Sequence, residues 1–147
     1  AVSGAGASGG VGAGLHALLG ARLRSRYDVV DRLCDLDRRI CAADIVFTAE
    51  GRIDAQSPQG KVPAEIGRRA AAAGIPVIAM AGALGAGATH IHAYGVDAVF
   101  SIAPGPSTLD AAMAATERRL TACAANVMRT LRAGIAIGAR RHESRAA

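Results

Sequence analysis

Three short runs of mostly apolar residues constrain the fold most strongly, because each is followed by a loop and then by a helical pattern. They occupy residues 44–48, 75–80 and 96–102. Each run is apolar on both faces, which is typical of buried strands in a parallel sheet. Repeated strand, loop and helix units with right-handed crossovers build such sheets. The sequence therefore predicts an α/β fold, a parallel sheet flanked by helices.

Helical patterns lie between and around these runs. Glycine directly after a helical pattern suits a left-handed helix end, and Gly74 and Gly95 stand at such positions. Side chains at 107–110 can cap a long helix that reaches Arg132. The other predicted helices are residues 11–23, 28–42, 62–73 and 90–94.

A glycine-rich loop, residues 4–10, stands at the start of the chain with no predicted strand before it. Doubly wound folds place such a loop after a strand. The first 43 residues contain no convincing strand at all. We therefore expect the sequence to be the back part of a longer protein.

The loop reads G-x-G-x-x-G at Gly4, Gly6 and Gly9. This pattern suggests a nicotinamide-binding oxidoreductase, but that reading needs a preceding strand and an acidic residue at the end of the next strand. More generally, backbone N–H groups at a helix start suit an anion, so Gly4, Gly6, Gly9 and Gly10 are candidate anion-binding or nucleotide-binding residues. The alternative is that these glycines only permit a tight turn and close packing.

The segment from Thr48 to Lys61 carries the densest chemistry of the chain. It reads Thr-Ala-Glu-Gly-Arg-Ile-Asp-Ala-Gln-Ser-Pro-Gln-Gly-Lys. We expect it to form a loop at the carboxyl end of the first strand, where ligands bind in open α/β sheets. Its charges and glycines suit a phosphate and metal site. The alternative is a loop that is polar only because it is solvated.

Lys61 is the single lysine of a chain with sixteen arginines. In such a sequence, a lysine beside a glycine indicates a position that favours a compact ammonium over a planar guanidinium. The segment is not a Walker loop, because Ala55 stands five residues before Gly60 and Val62 follows Lys61.

The net charge of +5 is concentrated near the C-terminus, where residues 129–147 hold five arginines and one glutamate. With two Tyr, two Phe and no Trp, the chain has little to stack on bases, so we expect no nucleic-acid binding. No apolar run approaches the roughly 20 residues that cross a bilayer. We expect a cytoplasmic protein with no membrane partner.

Residues 48–63 resemble the signature of the bacterial type I glycerate kinases, T-G-E-G-R-[IL]-D-x-Q-[ST]-x-x-G-K-x-P. Ala49 replaces a glycine of the signature, and Pro58 stands where the family commonly has leucine. Flanking stretches agree in order, and the likeness covers residues 1–132. By this resemblance residues 1–132 are the C-terminal portion of a glycerate kinase, and residues 133–147 are a basic flexible tail.

The resemblance implies ATP-dependent, Mg²⁺-dependent phosphorylation of glycerate to 2-phosphoglycerate by a two-domain α/β kinase, of which this chain is an incomplete part. The family has an Asp-Ser-Phe-Lys-Gly segment in its active site, and no segment of this sequence matches it. We therefore expect the chain to be truncated and inactive alone. Glycerate and ATP are the expected partners, and the chain is expected to form a homo-oligomer through an unpaired sheet edge.

The resemblance also implies roles for individual residues. Glu50 or Asp54 would hold Mg²⁺ or take the proton of the substrate hydroxyl. Arg52 would grip the glycerate carboxylate or the transferred phosphate, and Lys61 would act as a point charge. Gln56 would orient the substrate. The remaining substrate-binding candidates are Thr48, Gly51 and Gly60.

Two other functions stay open from the sequence. One is a non-catalytic remnant that binds a small molecule or a nucleotide. The other is the nicotinamide-binding oxidoreductase domain suggested by the glycine loop.

Overall fold

The computed structural model describes residues 2–146, with the side chains of residues 142–146 excepted. The chain forms two compact units that meet in sequence between Ala42 and Ala43. Within the described part of the chain, no helix combines the length and the apolar character that a membrane crossing requires.

The first unit is helical. Ser25 begins the second helix, because its Oγ accepts a hydrogen bond from the Tyr27 backbone N–H at 3.2 Å. Gly20, with φ +63°, ends the first helix four residues before the predicted end. Asp35, with φ +49°, divides the predicted helix 28–42 in two. The helices are α1 (Val11–Leu19), α2 (Arg26–Cys34) and α3 (Leu36–Cys41), and a 3₁₀ helix (Ala7–Gly10) precedes α1.

The second unit contains the predicted sheet. Its strands are β1 (Val46–Ile53), β2 (Val77–Leu84) and β3 (Ala98–Ser101). They pair in the order β1-β2-β3, and both pairings are parallel. The parallel α/β architecture predicted from the sequence is therefore confirmed.

β1 and β2 extend further toward their carboxyl ends than the apolar runs indicate. Glu50 pairs with Ala81, and Arg52 pairs with Ala83, so both charged residues lie on the strand rather than in the following loop. Gly82 permits this pairing, because a Cβ at that position would lie 2.7 Å from the Gly51 carbonyl oxygen. The small residues of β2 thus allow the backbone of the charged end of β1 to approach closely.

Helices cover the sheet as predicted, with shifted bounds. The long predicted helix is divided at Ala115 and continues to Ala146, so it includes residues 133–146. The division of the chain into a domain and a basic tail stays a prediction. The helical elements of this unit are α4 (Val62–Ala72), a 3₁₀ helix (Ala88–Tyr94), α5 (Leu109–Ala114) and α6 (Thr116–Ala146).

The core of the second unit lies around β2 and the inner face of α4. Gly67 of α4 sits directly on the turn before β3, where an added Cβ would overlap the Tyr94 carbonyl oxygen and lie 3.0 Å from Val96 Cγ2. This approach seats the helix against the end of the sheet. The buried apolar residues of this core include Ile53, Ala64, Ala70, Val77, Ala79, Ile91 and Val96.

Candidate functional site

A tight turn follows β1 and fixes the position of Asp54. The Asp54 backbone N–H donates to Ser57 Oγ at 3.0 Å, and the Ser57 N–H donates back to the Asp54 carbonyl oxygen at 3.0 Å. Ser57 is fully buried, so this turn is anchored in the core. The Gln56 N–H donates to Asp54 Oδ1 at 3.1 Å. The turn therefore presents a carboxylate with a defined orientation at the carboxyl end of the sheet.

Two cationic side chains meet this carboxylate, and we call Arg52, Asp54 and Lys61 the Asp54 cluster. Arg52 Nε donates to Asp54 Oδ2 at 3.0 Å. Lys61 Nζ lies 3.8 Å from Asp54 Oδ1 and donates to the Arg52 carbonyl oxygen at 3.3 Å. Lys61 also stands at the N-cap of α4, so the start of that helix faces the cluster. The strand end and the helix start thereby converge on one point.

The electrostatics of the cluster favour an anionic ligand. The Gln56 backbone hydrogen bond, then the Arg52 hydrogen bond, hold the pKa of Asp54 below its ordinary value, and the charge of Lys61 acts in the same direction. Asp54 is therefore ionised at neutral pH, and two cations against one carboxylate leave a net positive charge. The Arg52 side chain is 61% exposed and that of Lys61 is 35% exposed. Both can reach a bound phosphate.

Glycines in two loops allow the backbone to close around the cluster. A Cβ at Gly85, in the loop after β2, would lie 2.6 Å from Arg52 Nη2 and 3.0 Å from Asp54 Cβ. Gly60 has φ +85°, a conformation that favours glycine, and directly precedes Lys61. Gly85 was not predicted from the sequence, where its only signal is the run of glycines after the second apolar segment.

α4 also holds the loop that carries the cluster. Arg68 Nη2 donates to the Pro58 carbonyl oxygen at 3.1 Å, and the Arg68 guanidinium lies over the Tyr94 ring at 4.8 Å. The loop between β1 and α4 is therefore tied to the helix at its far end as well as at the Asp54 turn.

The remaining predicted residues take different positions. Glu50 lies on β1, four residues before Asp54, and about 13 Å separates their backbones along an extended chain. Its carboxylate makes no hydrogen bond or ion pair with any described residue. Thr48 is buried in the middle of β1, whereas Gln56 is exposed beside Asp54. The structure thus brings Arg52, Asp54 and Lys61 into direct contact, whereas Glu50 forms no ion pair with any of the three.

A cavity of about 760 Å³ opens beside Glu50 at the carboxyl end of the sheet. The ends of β1 and β2 form one side of it, and the loop after β3 with α5 and α6 forms the other. Arg119 of α6 borders the cavity, and its Nη1 donates to Ser107 Oγ at 3.3 Å. Arg119 Nε is buried without a partner among the described residues.

Of the residues predicted to cap the helix near this cavity, one caps α5 and another contacts Arg119 instead. Thr108 Oγ1 accepts from the Ala111 N–H at 3.3 Å and caps α5 as expected. Ser107 instead contacts Arg119. Neither Arg119 nor the cavity was predicted from the sequence, because the walls of the cavity come from segments far apart in the chain.

The family resemblance implies Mg²⁺, and the Asp54 cluster offers this ion one carboxylate rather than a full set of protein ligands. Among the side chains that the structure describes, no group of three or more His, Cys, Asp or Glu is placed to hold a metal ion. Mg²⁺ usually keeps several waters and binds through one or two carboxylates together with substrate phosphates. Asp54 would supply one such carboxylate, and Mg²⁺ would replace the contacts that Arg52 and Lys61 make with its oxygens.

The glycine loop of the first unit has a clear backbone role. Gly4, Gly9 and Gly10 have φ values of +85°, +67° and +90°, which favour glycine. A Cβ at Gly12 would lie 3.1 Å from the Gly4 carbonyl oxygen, so the loop also packs closely on the start of α1. Tight turns and close packing are therefore present, and anion binding by Gly4, Gly6, Gly9 and Gly10 stays a prediction.

Comparison with known proteins points to one family. The sequence pattern of the glycerate kinase family matches residues 1–132. The glycerate kinase of Bacillus cereus is 40% identical over 126 residues, which are 86% of this chain and 33% of that protein. The glycerate 2-kinase of Escherichia coli K12 is 40% identical over 134 residues, 91% of this chain and 35% of that protein.

A solved structure agrees with these relatives. The crystal structure of a glycerate kinase 2 candidate from Salmonella typhimurium LT2 matches with a TM-score of 0.67 and 40% identity, covering 89% of this chain and 33% of that one. The chain thus spans about a third of the length of the relatives it matches.

Proposed function

Because the chain belongs to the glycerate kinase family, we propose that it supplies phosphoryl-transfer residues to an ATP-dependent kinase that converts glycerate to 2-phosphoglycerate. The observation that carries this proposal is the Asp54 cluster, in which an ionised carboxylate and two cations meet at the carboxyl end of a parallel sheet. The relative named glycerate 2-kinase supports the choice of the 2-hydroxyl.

Phosphoryl transfer depends on positioning and on stabilisation of charge more than on covalent chemistry by the protein. In the proposed reaction the 2-hydroxyl oxygen of glycerate attacks the γ-phosphorus of ATP, the bond to the β–γ bridging oxygen breaks, and ADP leaves. Lys61 and Arg52 neutralise the negative charge on the transferred group. Mg²⁺, when bound, shields the charge of the phosphate oxygens.

Asp54 is the carboxylate we assign to the reacting centre. It is ionised, it is held by the Gln56 N–H, and it lies beside both cations. It would take the proton of the attacking hydroxyl or hold Mg²⁺. Glu50 lies too far along β1 to share one ion with Asp54, so we give it no role in that step.

The remaining site assignments follow from exposure. Arg52, the most exposed member of the cluster, is free to turn toward the glycerate carboxylate. Gln56 is exposed beside Asp54 and is the better candidate for orienting the substrate, since Thr48 is buried. Cytoplasmic location and homo-oligomer formation belong to the same proposal, and anion binding by the glycine loop stays a separate prediction.

A non-catalytic binding role is the second candidate function. It is favoured by the cavity beside Glu50, which is large enough for a small-molecule ligand. Under this alternative the chain would bind a nucleotide or another small molecule without turnover. The oxidoreductase alternative is set aside, because the family that matches residues 1–132 is a family of kinases.

The test measures phosphoglycerate formation from glycerate, ATP and Mg²⁺ by ³¹P nuclear magnetic resonance, which separates the 2-phosphate from the 3-phosphate. It uses the 147-residue chain and a chimera in which this chain replaces the matching third of the E. coli glycerate 2-kinase. We expect 2-phosphoglycerate from the chimera. A folded chimera that makes no phosphoglycerate, beside an active E. coli parent, would contradict the proposal.

Arg52 and Arg38 provide a matched pair of variants for this assay. Each is an exposed arginine that pairs with an aspartate, Arg52 with Asp54 at 3.0 Å and Arg38 with Asp35 at 3.1 Å. Arg52→Ala should lower turnover strongly, whereas Arg38→Ala should leave it near that of the unchanged chimera. Equal losses in the two variants would indicate a general effect of removing an arginine.

A further inference from the structure

The cavity beside Glu50 is larger and more apolar than a glycerate site requires. Glycerate is a three-carbon acid, whereas the cavity measures about 760 Å³. Pockets of that size with mostly apolar walls and a few polar groups are typical of cofactor-sized ligands. The unpaired carboxylate of Glu50 would also repel the carboxylate of glycerate. The acceptor substrate is therefore a poor match for this space.

The walls of the cavity offer room for a flat, apolar group. Gly51 and Gly105 border it, and a Cβ added to either glycine would meet no atom within 4 Å, so it would extend into open space. Leu109 and Met113 also border it and are 75% and 68% exposed. A ring system lying over the glycines would cover these exposed apolar side chains.

Besides the buried Arg119 Nε, one polar group of the wall lacks a partner, and this acidic group constrains the chemistry of the ligand. The Glu50 carboxylate accepts no hydrogen bond from any described residue. An acidic side chain at the end of a strand in an open α/β sheet is suited to accept hydrogen bonds from ribose hydroxyls. An acyl chain or another purely apolar ligand would bury the same carboxylate without a donor.

We propose that this cavity binds the nucleoside half of the phosphoryl donor, with the Glu50 carboxylate accepting hydrogen bonds from the ribose hydroxyls. The inference rests on the function proposed above, because it identifies the cavity as the binding site for the nucleotide that donates the phosphoryl group. Glu50 and Asp54 stand on the same strand and its following turn, about 13 Å apart. A nucleoside triphosphate extended along β1 would span that distance and bring its terminal phosphate to Lys61.

The test compares the affinities of adenosine, 2′,3′-dideoxyadenosine and inorganic triphosphate, by titration calorimetry, for the 147-residue chain and for the chimera. Adenosine should bind at least about tenfold more tightly than its dideoxy analogue, because hydrogen bonds to a charged group discriminate by that order. Glu50→Ala should reduce this ratio to near one and leave triphosphate affinity unchanged. A merely structural role of Glu50 would not change a ratio between two nucleosides.

A second pair of variants tests the space itself. Gly51→Val should weaken adenosine binding by at least about tenfold, since even a methyl-sized misfit in a pocket costs about that factor. Gly105→Val serves the same purpose if Gly51→Val fails to fold. Gly134→Val, at an exposed position of α6 with open space around it, should leave adenosine affinity unchanged.

The outcomes separate this inference from the proposed function. A chimera that makes phosphoglycerate, but whose adenosine affinity and KM for ATP are unchanged by Glu50→Ala and Gly51→Val, overturns the nucleoside site and leaves the kinase proposal intact. Glu50-dependent adenosine binding without phosphoglycerate formation supports the site and contradicts the kinase proposal. Absence of adenosine binding by both the chain and the chimera overturns the inference.

Discussion

Gly67→Ala is expected to destabilise the second unit, because α4 packs on the backbone before β3 with no space for a side chain. An added Cβ would overlap the Tyr94 carbonyl oxygen and would also lie 3.0 Å from Val96 Cγ2 and 3.1 Å from the Gly95 carbonyl carbon. The main obstacle is a backbone carbonyl, which cannot rotate away as a flexible side chain can. The helix or the turn must therefore shift.

The size of the effect follows from two opposed contributions. Overpacking a well-packed core costs roughly 1–3 kcal/mol, and a backbone obstacle argues for the upper end of that range. Alanine is favoured over glycine within a helix by about 1 kcal/mol, which offsets part of the loss. We expect the free energy of unfolding to fall by about 2 kcal/mol.

Gly134→Ala is the matched control, since it makes the same change in a helix where an added Cβ meets nothing within 4 Å. It should leave the free energy of unfolding unchanged or raise it by up to about 1 kcal/mol. Urea unfolding followed by far-ultraviolet circular dichroism measures both variants. If Gly67→Ala unfolds at the same urea concentration as the unchanged chain, α4 does not pack as closely on the turn before β3 as the structure shows.

Four further predictions concern the Asp54 cluster and the C-terminal segment. In the chimera, Lys61→Ala should lower kcat by about 10²–10³-fold, as loss of one preorganised stabilising group does. Lys61→Arg should restore only part of the lost kcat, because a guanidinium is bulkier and spreads its charge. Full recovery of kcat with arginine would show that the position does not require a lysine. Asp54→Asn should lower kcat at least as much, and added Mg²⁺ should relieve the defect only if Asp54 is a metal ligand. Folding lowers the pKa of Asp54 from its ordinary value of 3.8, so the ionised carboxylate stabilises the fold above pH 3.8. The difference in unfolding free energy between the unchanged chain and Asp54→Asn should therefore shrink as the pH falls below 3.8. A difference that does not change with pH would contradict this expectation. Deletion of residues 133–147 should leave glycerate phosphorylation by the chimera within a few-fold of its full rate, and a total loss would assign that segment a part in the site.

The sequence was sufficient to predict the parallel sheet but not the ends of its strands. Apolar residues on both faces identified the buried halves of β1 and β2. Their carboxyl ends lack that signal, because β1 carries Glu50 and Arg52 there and β2 carries only alanine and glycine between Met80 and Leu84. Pairing between the two backbones extended both strands, and pairing is a tertiary effect that local propensity does not contain.

The Asp54 cluster could be predicted in part from the sequence, whereas the cavity could not. Arg52 and Asp54 are two residues apart, and that spacing places them on one side of an extended chain once β1 is known to reach Ile53. The cavity is different, because Glu50, Ser107 and Arg119 come from three segments that only the fold brings together. Likewise, the break at Asp35 has no glycine or proline to announce it.

Close approach between backbone segments brings the residues of the Asp54 cluster together into one candidate site. Gly82 lets β2 pair with the charged end of β1, and Gly85 lets the next loop lie against Arg52 and Asp54. Gly67 lets α4, whose N-cap is Lys61, pack against the turn before β3. A residue with a Cβ would obstruct each of these contacts, and the Gly85 contact involves Arg52 and Asp54 directly. The small residues of this aromatic-poor chain therefore do more than fill a core: they set the distances at which one carboxylate and two cations meet, and those distances decide whether a phosphate can be held there.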